Sequence, residues 1–193
     1  GRVAASGSDR TRVQPVAGDA PGALDLVPYS VQFDVPPGEY WMRVLVREPG
    51  GTIGTADRRF HVWPLSGPGI ATSDLIVTKL DGQRFDAPTH ANVAKTDQVL
   101  AYMEMYGCDG GQPVEAKVDV VSAESNEVVA TVDPVVKPGT HGERIVRARL
   151  PVELLKEGYY AARVRVSAAN QTARTVIRNF RLVAPVGKPT TKP

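Results

Sequence analysis

The chain has 193 residues, of which 42% are hydrophobic and 23% charged, and its formal net charge is +2. That is enough chain for one or two domains with a buried core, and the charge is too small to argue for nucleic acid. No apolar run approaches the ~18 residues that span a membrane, and the single cysteine, Cys108, excludes an internal disulfide and any Cys-based zinc site.

The 18 glycines and 16 prolines suit many short strands joined by turns. Gly1 is preceded by no initiator methionine or signal-like apolar segment, so the expectation is a processed chain from which any targeting segment has gone. Residues 1–22 are small and polar, with Arg2, Arg10 and Arg12, and read as a flexible or weakly structured arm with short strands at Val3–Ala5 and Arg12–Val16 at most. Over Leu24–Val35 the residues Tyr29, Val31, Phe33 and Val35 alternate with Ser30, Gln32 and Asp34, the period-2 pattern of a half-buried strand. Pro36-Pro37-Gly38 turns the chain. Tyr40–Arg47 is the next strand, with Tyr40, Met42, Val44 and Val46 expected inward and Trp41, Arg43, Leu45 and Arg47 on the other face. Glu48–Gly51 is a hairpin turn, and Thr52–Trp63 returns. Residues 23–64 are thus expected to form a reduced β-sandwich module, with some five strands over the first ~63 residues as a whole. Residues 65–70 have the composition of a linker.

A larger module is expected over 71–184. Its strands are Asp74–Leu80, Asp97–Tyr106, Val114–Val121, Val128–Val132, Arg144–Leu150, 159–168 and 172–183. Asp81–Lys95 is a polar connection, and Pro151–Glu157 is one helical turn. In Asp97–Tyr106 the inward residues are Val99, Ala101, Met103 and Met105. In Val114–Val121 they are Val114, Ala116, Val118 and Val120, with Glu115, Lys117 and Asp119 outward. About seven strands is the complement of an immunoglobulin-like sandwich. Residues 185–193 read as a disordered tail.

The chain also repeats itself. Gly38–Phe60 lies under Gly158–Phe180 at an offset of 120 without a gap. Gly38/Gly158, Tyr40/Tyr160, Arg43/Arg163, Val44/Val164, Val46/Val166, Thr52/Thr172, Thr55/Thr175, Arg58/Arg178 and Phe60/Phe180 are identical. The same hairpin is built twice, and the expected fold class is all-β, two tandem immunoglobulin-like β-sandwich modules with the first reduced.

Leu155-x-x-Gly158-x-Tyr160-x-x-x-Val164 resembles the start of the penultimate strand in immunoglobulin and fibronectin type III folds, where a tyrosine hydroxyl ties the loop to upstream backbone. Val35-x-x-Gly38-x-Tyr40-x-x-x-Val44 matches the same pattern. From Ser73-Asp74-Leu75 through Val99-x-x-Tyr102-x-Glu104-x-Tyr106 to Leu150-Pro151 and Gly158–Phe180 the chain is similar to the C-terminal β-sandwich modules of secreted bacterial proteins that carry a von Willebrand factor A domain. The A domain's Asp-x-Ser-x-Ser metal motif is missing from this sequence, so metal-dependent adhesion is not implied.

Chemistry is sparsely signalled. His61, His90 and His141 are scattered, and no pair has metal-ligand spacing. No nucleophile elbow, P-loop or dinucleotide fingerprint occurs. Asp81, Asp86, Asp97 and Asp109 fall in turns, where aspartate caps its own backbone. Cys108 reads as a structural thiol beside a turn. No catalytic, cofactor-binding or metal-binding residue is expected, and no cofactor. Arginines crowd the last strands, Arg163 and Arg165 pointing away from the core. They read either as a solvated sheet face whose stems cover apolar surface or as a docking surface for an acidic partner. Both tryptophans fall in the first module, and Trp41 and Leu45, on the outward face, read either as packing between the modules or as an interaction surface, which large exposed apolar groups mark. The candidate partner-binding residues are therefore Trp41, Arg43, Leu45, Arg47, Trp63, Arg163 and Arg165.

Together with the resemblance, this favours a non-enzymatic, extracytoplasmic interaction or scaffold subunit, periplasmic or at the cell surface. Its partner is a protein, for example a larger envelope or membrane-bound assembly. No nucleic acid, no small-molecule substrate and no transmembrane segment of its own are expected. The alternatives are a carbohydrate-binding or adhesion module, with Trp41, Tyr102, Tyr106 and Tyr159 as the candidate aromatics, and an accessory domain of a secreted enzyme.

Overall fold

The structure is a computed structural model of the chain that describes residues 2–8, 31–81, 84–85, 92–108, 112–168 and 171–184. It is all-β: among the described residues the one helical element is a 3-10 turn at Val152–Leu154, where a helical turn is expected between Pro151 and Glu157. Two compact units divide at Pro64/Leu65.

The first unit contains one antiparallel pair, β1 (Gly38–Arg47) and β2 (Ile53–Val62). The turn closes through Gly51, at φ 91°, whose N–H donates to the Glu48 carbonyl at 2.9 Å; only glycine takes that conformation without strain. The described residues of this unit form two strands. One expectation is corrected here. Val31–Val35 is not a strand despite its alternation, because periodicity marks which side chains could share a face but supplies no neighbouring strand to bond. The remainder of that alternating run, residues 24–30, and the strand expected at Arg12–Val16 lie outside the described residues.

The second unit has two sheets. One contains β10 (Val135–Pro138), β11 (Arg144–Leu150), β7 (Val99–Tyr106), β4 (Ile76–Asp81) and β5 (Arg84–Phe85) in that order, with β3 (Ala71–Thr72) also on β7. The other runs β6 (Asn92–Ala94), β13 (Arg174–Val183), β12 (Gly158–Ala168), β8 (Val114–Ser122), β9 (Val128–Val132). Pairing is antiparallel except for β6 on β13. The core is what alternation predicts. Val99, Ala101, Met103 and Met105 of β7, with Val146, Ala148 and Leu150 of β11, join Val118, Val120, Ala162, Val164, Val166, Phe180 and Leu182 in one buried cluster. The short strands β3, β5, β6 and β10 carry too few residues for a readable period. Pro138 ends β10 on the sheet edge, where a missing N–H costs no ladder bond. At Gly107, φ 77°, an added Cβ would lie 2.2 Å from the Gly69 carbonyl oxygen, so only glycine fits between these two turns.

The repeat survives in three dimensions. Tyr40 pairs with Phe60 and Tyr160 with Phe180, in the same register. The Tyr40–Phe60 rings stack at 5.6 Å and the Tyr160–Phe180 rings at 5.7 Å. The Tyr40 hydroxyl donates to the Pro36 carbonyl at 2.6 Å, and that of Tyr160 to the Lys156 carbonyl at 2.8 Å. Both hairpins start at a glycine of positive φ, Gly38 at 159° and Gly158 at 154°.

Candidate docking surface

The two faces of the β1–β2 hairpin are built by register. Outward, Glu39 faces His61, Trp41 faces Arg59, Arg43 faces Asp57, Leu45 faces Thr55 and Arg47 faces Ile53. Two of these cross-strand pairs interact directly, Trp41 with Arg59 and Arg43 with Asp57. The Arg59 guanidinium lies 5.1 Å over the Trp41 ring. Arg43 grips Asp57 with two hydrogen bonds of 2.8 Å, and these hold the Asp57 carboxyl below its usual value. The His61 and Trp63 rings lie 4.0 Å apart. Trp41, Arg43, Leu45, Arg47 and Trp63 are therefore brought onto one unit, four on β1 and Trp63 just past β2, and all five are exposed.

The inward face is a second correction. Met42, Val44 and Val46, expected in a core, are exposed. Phe60 is 40% exposed where Phe180 is 3%, and Val44 39% where Val164 is 1%. In the second unit the β8 edge and the opposite sheet cover these positions; among the described residues, β1 pairs only with β2. Around the start of the hairpin lies a groove of about 1370 Å³, lined by residues 2–7, Phe33 to Val35 and hairpin residues of both faces, Tyr40, Met42, Phe60 and Val62 with Glu39, Trp41, Arg43 and Asp57.

Arg163 and Arg165 are placed elsewhere and already engaged. Their guanidiniums reach the same carboxylate oxygen of Asp119, at 2.9 and 3.0 Å, and Thr131 donates its hydroxyl to the other at 2.9 Å. Asp119, expected outward, is 2% exposed, because the arginines cover it. Burial opposes its ionisation, but the bonds from Thr131, Arg163 and Arg165 outweigh burial and hold the carboxyl below its usual value. Alternation shows that the two arginines share a face; finding Asp119 requires the β8–β12 register, which no residue pattern supplies. Arg147 and Arg149 belong to β11 in the other sheet, so the arginine-rich strands form two patches.

A further cluster was not foreseen. On β7, the Tyr102 hydroxyl donates to one Glu104 oxygen at 2.6 Å and the Tyr106 hydroxyl to the other at 2.5 Å. Burial and the neighbouring carboxylate push the Tyr102 hydroxyl up to about 12 and Tyr106 further. The Glu104 N–H donates to Ser73 Oγ at 2.9 Å. Spacing of i, i+2, i+4 on one face is the signal that could have found it. A carboxylate clasped by two protonated phenols fixes the strand and has no free base to offer. Among the described residues, no three His, Cys, Asp or Glu side chains are grouped for a metal, and no helix is long and apolar enough to cross a membrane.

No protein-family model and no curated protein matches this chain.

Proposed function

We propose that this chain is a non-enzymatic, extracytoplasmic interaction or scaffold subunit that docks onto a larger envelope or membrane-bound protein assembly. The observation that carries the reading is the repeated hairpin. One copy is finished, with its apolar residues in a core. The other has the same backbone, ring stack and corner hydrogen bond, with its apolar residues exposed and two tryptophans added. Large exposed apolar surface marks a place where another protein belongs. In the second unit, the order β10-β11-β7-β4 against β13-β12-β8 and the tyrosine hydroxyl bond support an immunoglobulin-like sandwich. The resemblance to modules of secreted bacterial proteins supports the location.

Sugar binding is the weaker reading, because the exposed candidate rings, Trp41 and Tyr159, belong to different units, while Tyr102 and Tyr106 are half-buried with their hydroxyls bound to Glu104. The experiment is capture of partners from native membranes with the chain and with Trp41→Ser, alongside thermal melts. An unchanged melt with association weakened by ~2 kcal/mol or more makes Trp41 an interface anchor. Lost stability with unchanged association overturns that role.

A further inference from the structure

We infer that the outward face of the β1–β2 hairpin joins this chain to a second copy of itself, the two hairpins stacked face to face with their β1 strands running in opposite directions. The inference deepens the docking reading: it keeps the premise that this exposed face is an interface and names what meets it.

One row of side chains specifies the partner. Along β1 the outward positions 39, 41, 43, 45 and 47 hold Glu, Trp, Arg, Leu and Arg. Trp41 is 69% exposed and Leu45 58%. At the two ends Glu39 and Arg47 are exposed and, among the described residues, have no ion pair. Laid against a second copy in the opposite direction, the row matches itself. Glu39 of each copy meets Arg47 of the other, and Trp41 of each meets Leu45. Arg43 falls on the two-fold axis, where its own Asp57 already neutralises it through two hydrogen bonds of 2.8 Å. Laid in the same direction, the row would set Glu39 on Glu39 and Arg47 on Arg47, and like charges oppose that arrangement. Stacked sheets lie about 10 Å apart, a gap that a glutamate and an arginine span together. One patch meeting itself about a two-fold axis is the commonest symmetry of soluble oligomers.

The other hairpin shows that this row is no by-product of the repeat. The corresponding outward positions of β12 hold Tyr159, Ala161, Arg163, Arg165 and Ser167. That row has no acidic residue, and its two arginines are held by Asp119. Read against itself in either direction it pairs no opposite charges. The glycine, tyrosine and phenylalanine that build the hairpin are common to both copies, whereas Glu39, Trp41, Leu45 and Arg47 belong to the first alone. Any other partner needs a cation, two apolar groups and an anion in this same reversed order, and the chain already carries it.

The test is sedimentation velocity of the full chain from about 1 to 200 µM, with a thermal melt of every variant. The expected result is a monomer–dimer equilibrium that weakens as salt rises. Glu39→Lys and Arg47→Glu should each weaken the dimer roughly tenfold or more without changing the melt. An equimolar mixture of these two variants, or the double variant alone, should dimerise within about threefold of the parent, because each brings opposite charges together again. A monomer throughout that range overturns the second copy, as does a dimer indifferent to the single reversals. Reversals that neither mixing nor the double variant rescues overturn the antiparallel match. The two readings fail separately. A monomer with Trp41-dependent capture from membranes removes the second copy and keeps docking onto an assembly. A dimer that captures no membrane protein removes the assembly and keeps the second copy.

Discussion

Phe60 and Phe180 stack on their tyrosines in the same register, one residue 40% exposed and the other sealed in a core. The two hairpins separate what local sequence can do from what packing adds. A positive-φ glycine, a tyrosine two residues on, a cross-strand phenylalanine and a carbonyl four residues before the tyrosine suffice for strand, corner and ring stack in both units. None of these places a second layer over the strands. Hydrophobic stabilisation scales with apolar area withdrawn from water, so the same residues should contribute very differently to stability in the two copies.

The largest difference is expected from deleting the stacked ring. Phe180→Ala should cost about 3–5 kcal/mol, and Phe60→Ala about 1 kcal/mol, read as paired chemical melts of the full chain. Equal losses would mean that Phe60 is sealed in solution and the first hairpin is covered.

A middle-sized effect belongs to the second unit alone. Asp119→Asn should cost about 1.5–3 kcal/mol at neutral pH, the scale of hydrogen bonds to a charged group, with partial exposure of both arginines keeping it toward the low end. The folded carboxyl sits below its usual value. Its stabilisation is therefore complete above about pH 4 and is lost as pH falls through the lowered folded value. The gap between parent and variant should close on acidification, and a pH-independent gap would remove the ionic account.

The smallest contrast concerns hydroxyls. Tyr160→Phe should cost about 0.5–1.5 kcal/mol for its bond to Lys156. Tyr40→Phe should cost less, since its bond to Pro36 is exposed to competing water. Tyr159→Phe should change stability by no more than about 0.5 kcal/mol, because its ring keeps its place beneath Arg181. If Tyr159 and Tyr160 respond equally, the corner bond has no special role.

Alternation made β7, β8, β11 and β12 legible, and turn residues made both hairpins legible, because each signal lies within one short stretch. What was illegible is held between stretches. Asp119 meets Arg163 and Arg165 across 44 and 46 residues of sequence, and only pairing register brings them together. Val31–Val35 shows the opposite failure: a good pattern with, among the described residues, no strand beside it. Met42, Val44 and Val46 have the period of core residues, and periodicity says only that they share a face.

The parallel pairing of β6 with β13 gives the second unit a mechanical character that the first lacks. Asn92–Ala94 runs alongside Arg181–Val183 in the same direction. Tension between the upstream and downstream ends of the unit draws these strands past each other along their length, and their hydrogen bonds are strained together, in shear. In the first unit Gly38 and Val62 are directly paired. Tension applied there opens β1 from β2 one bond at a time, like a zipper. Under load the β1–β2 pair parts bond by bond, whereas the bonds of the β6–β13 pair resist together.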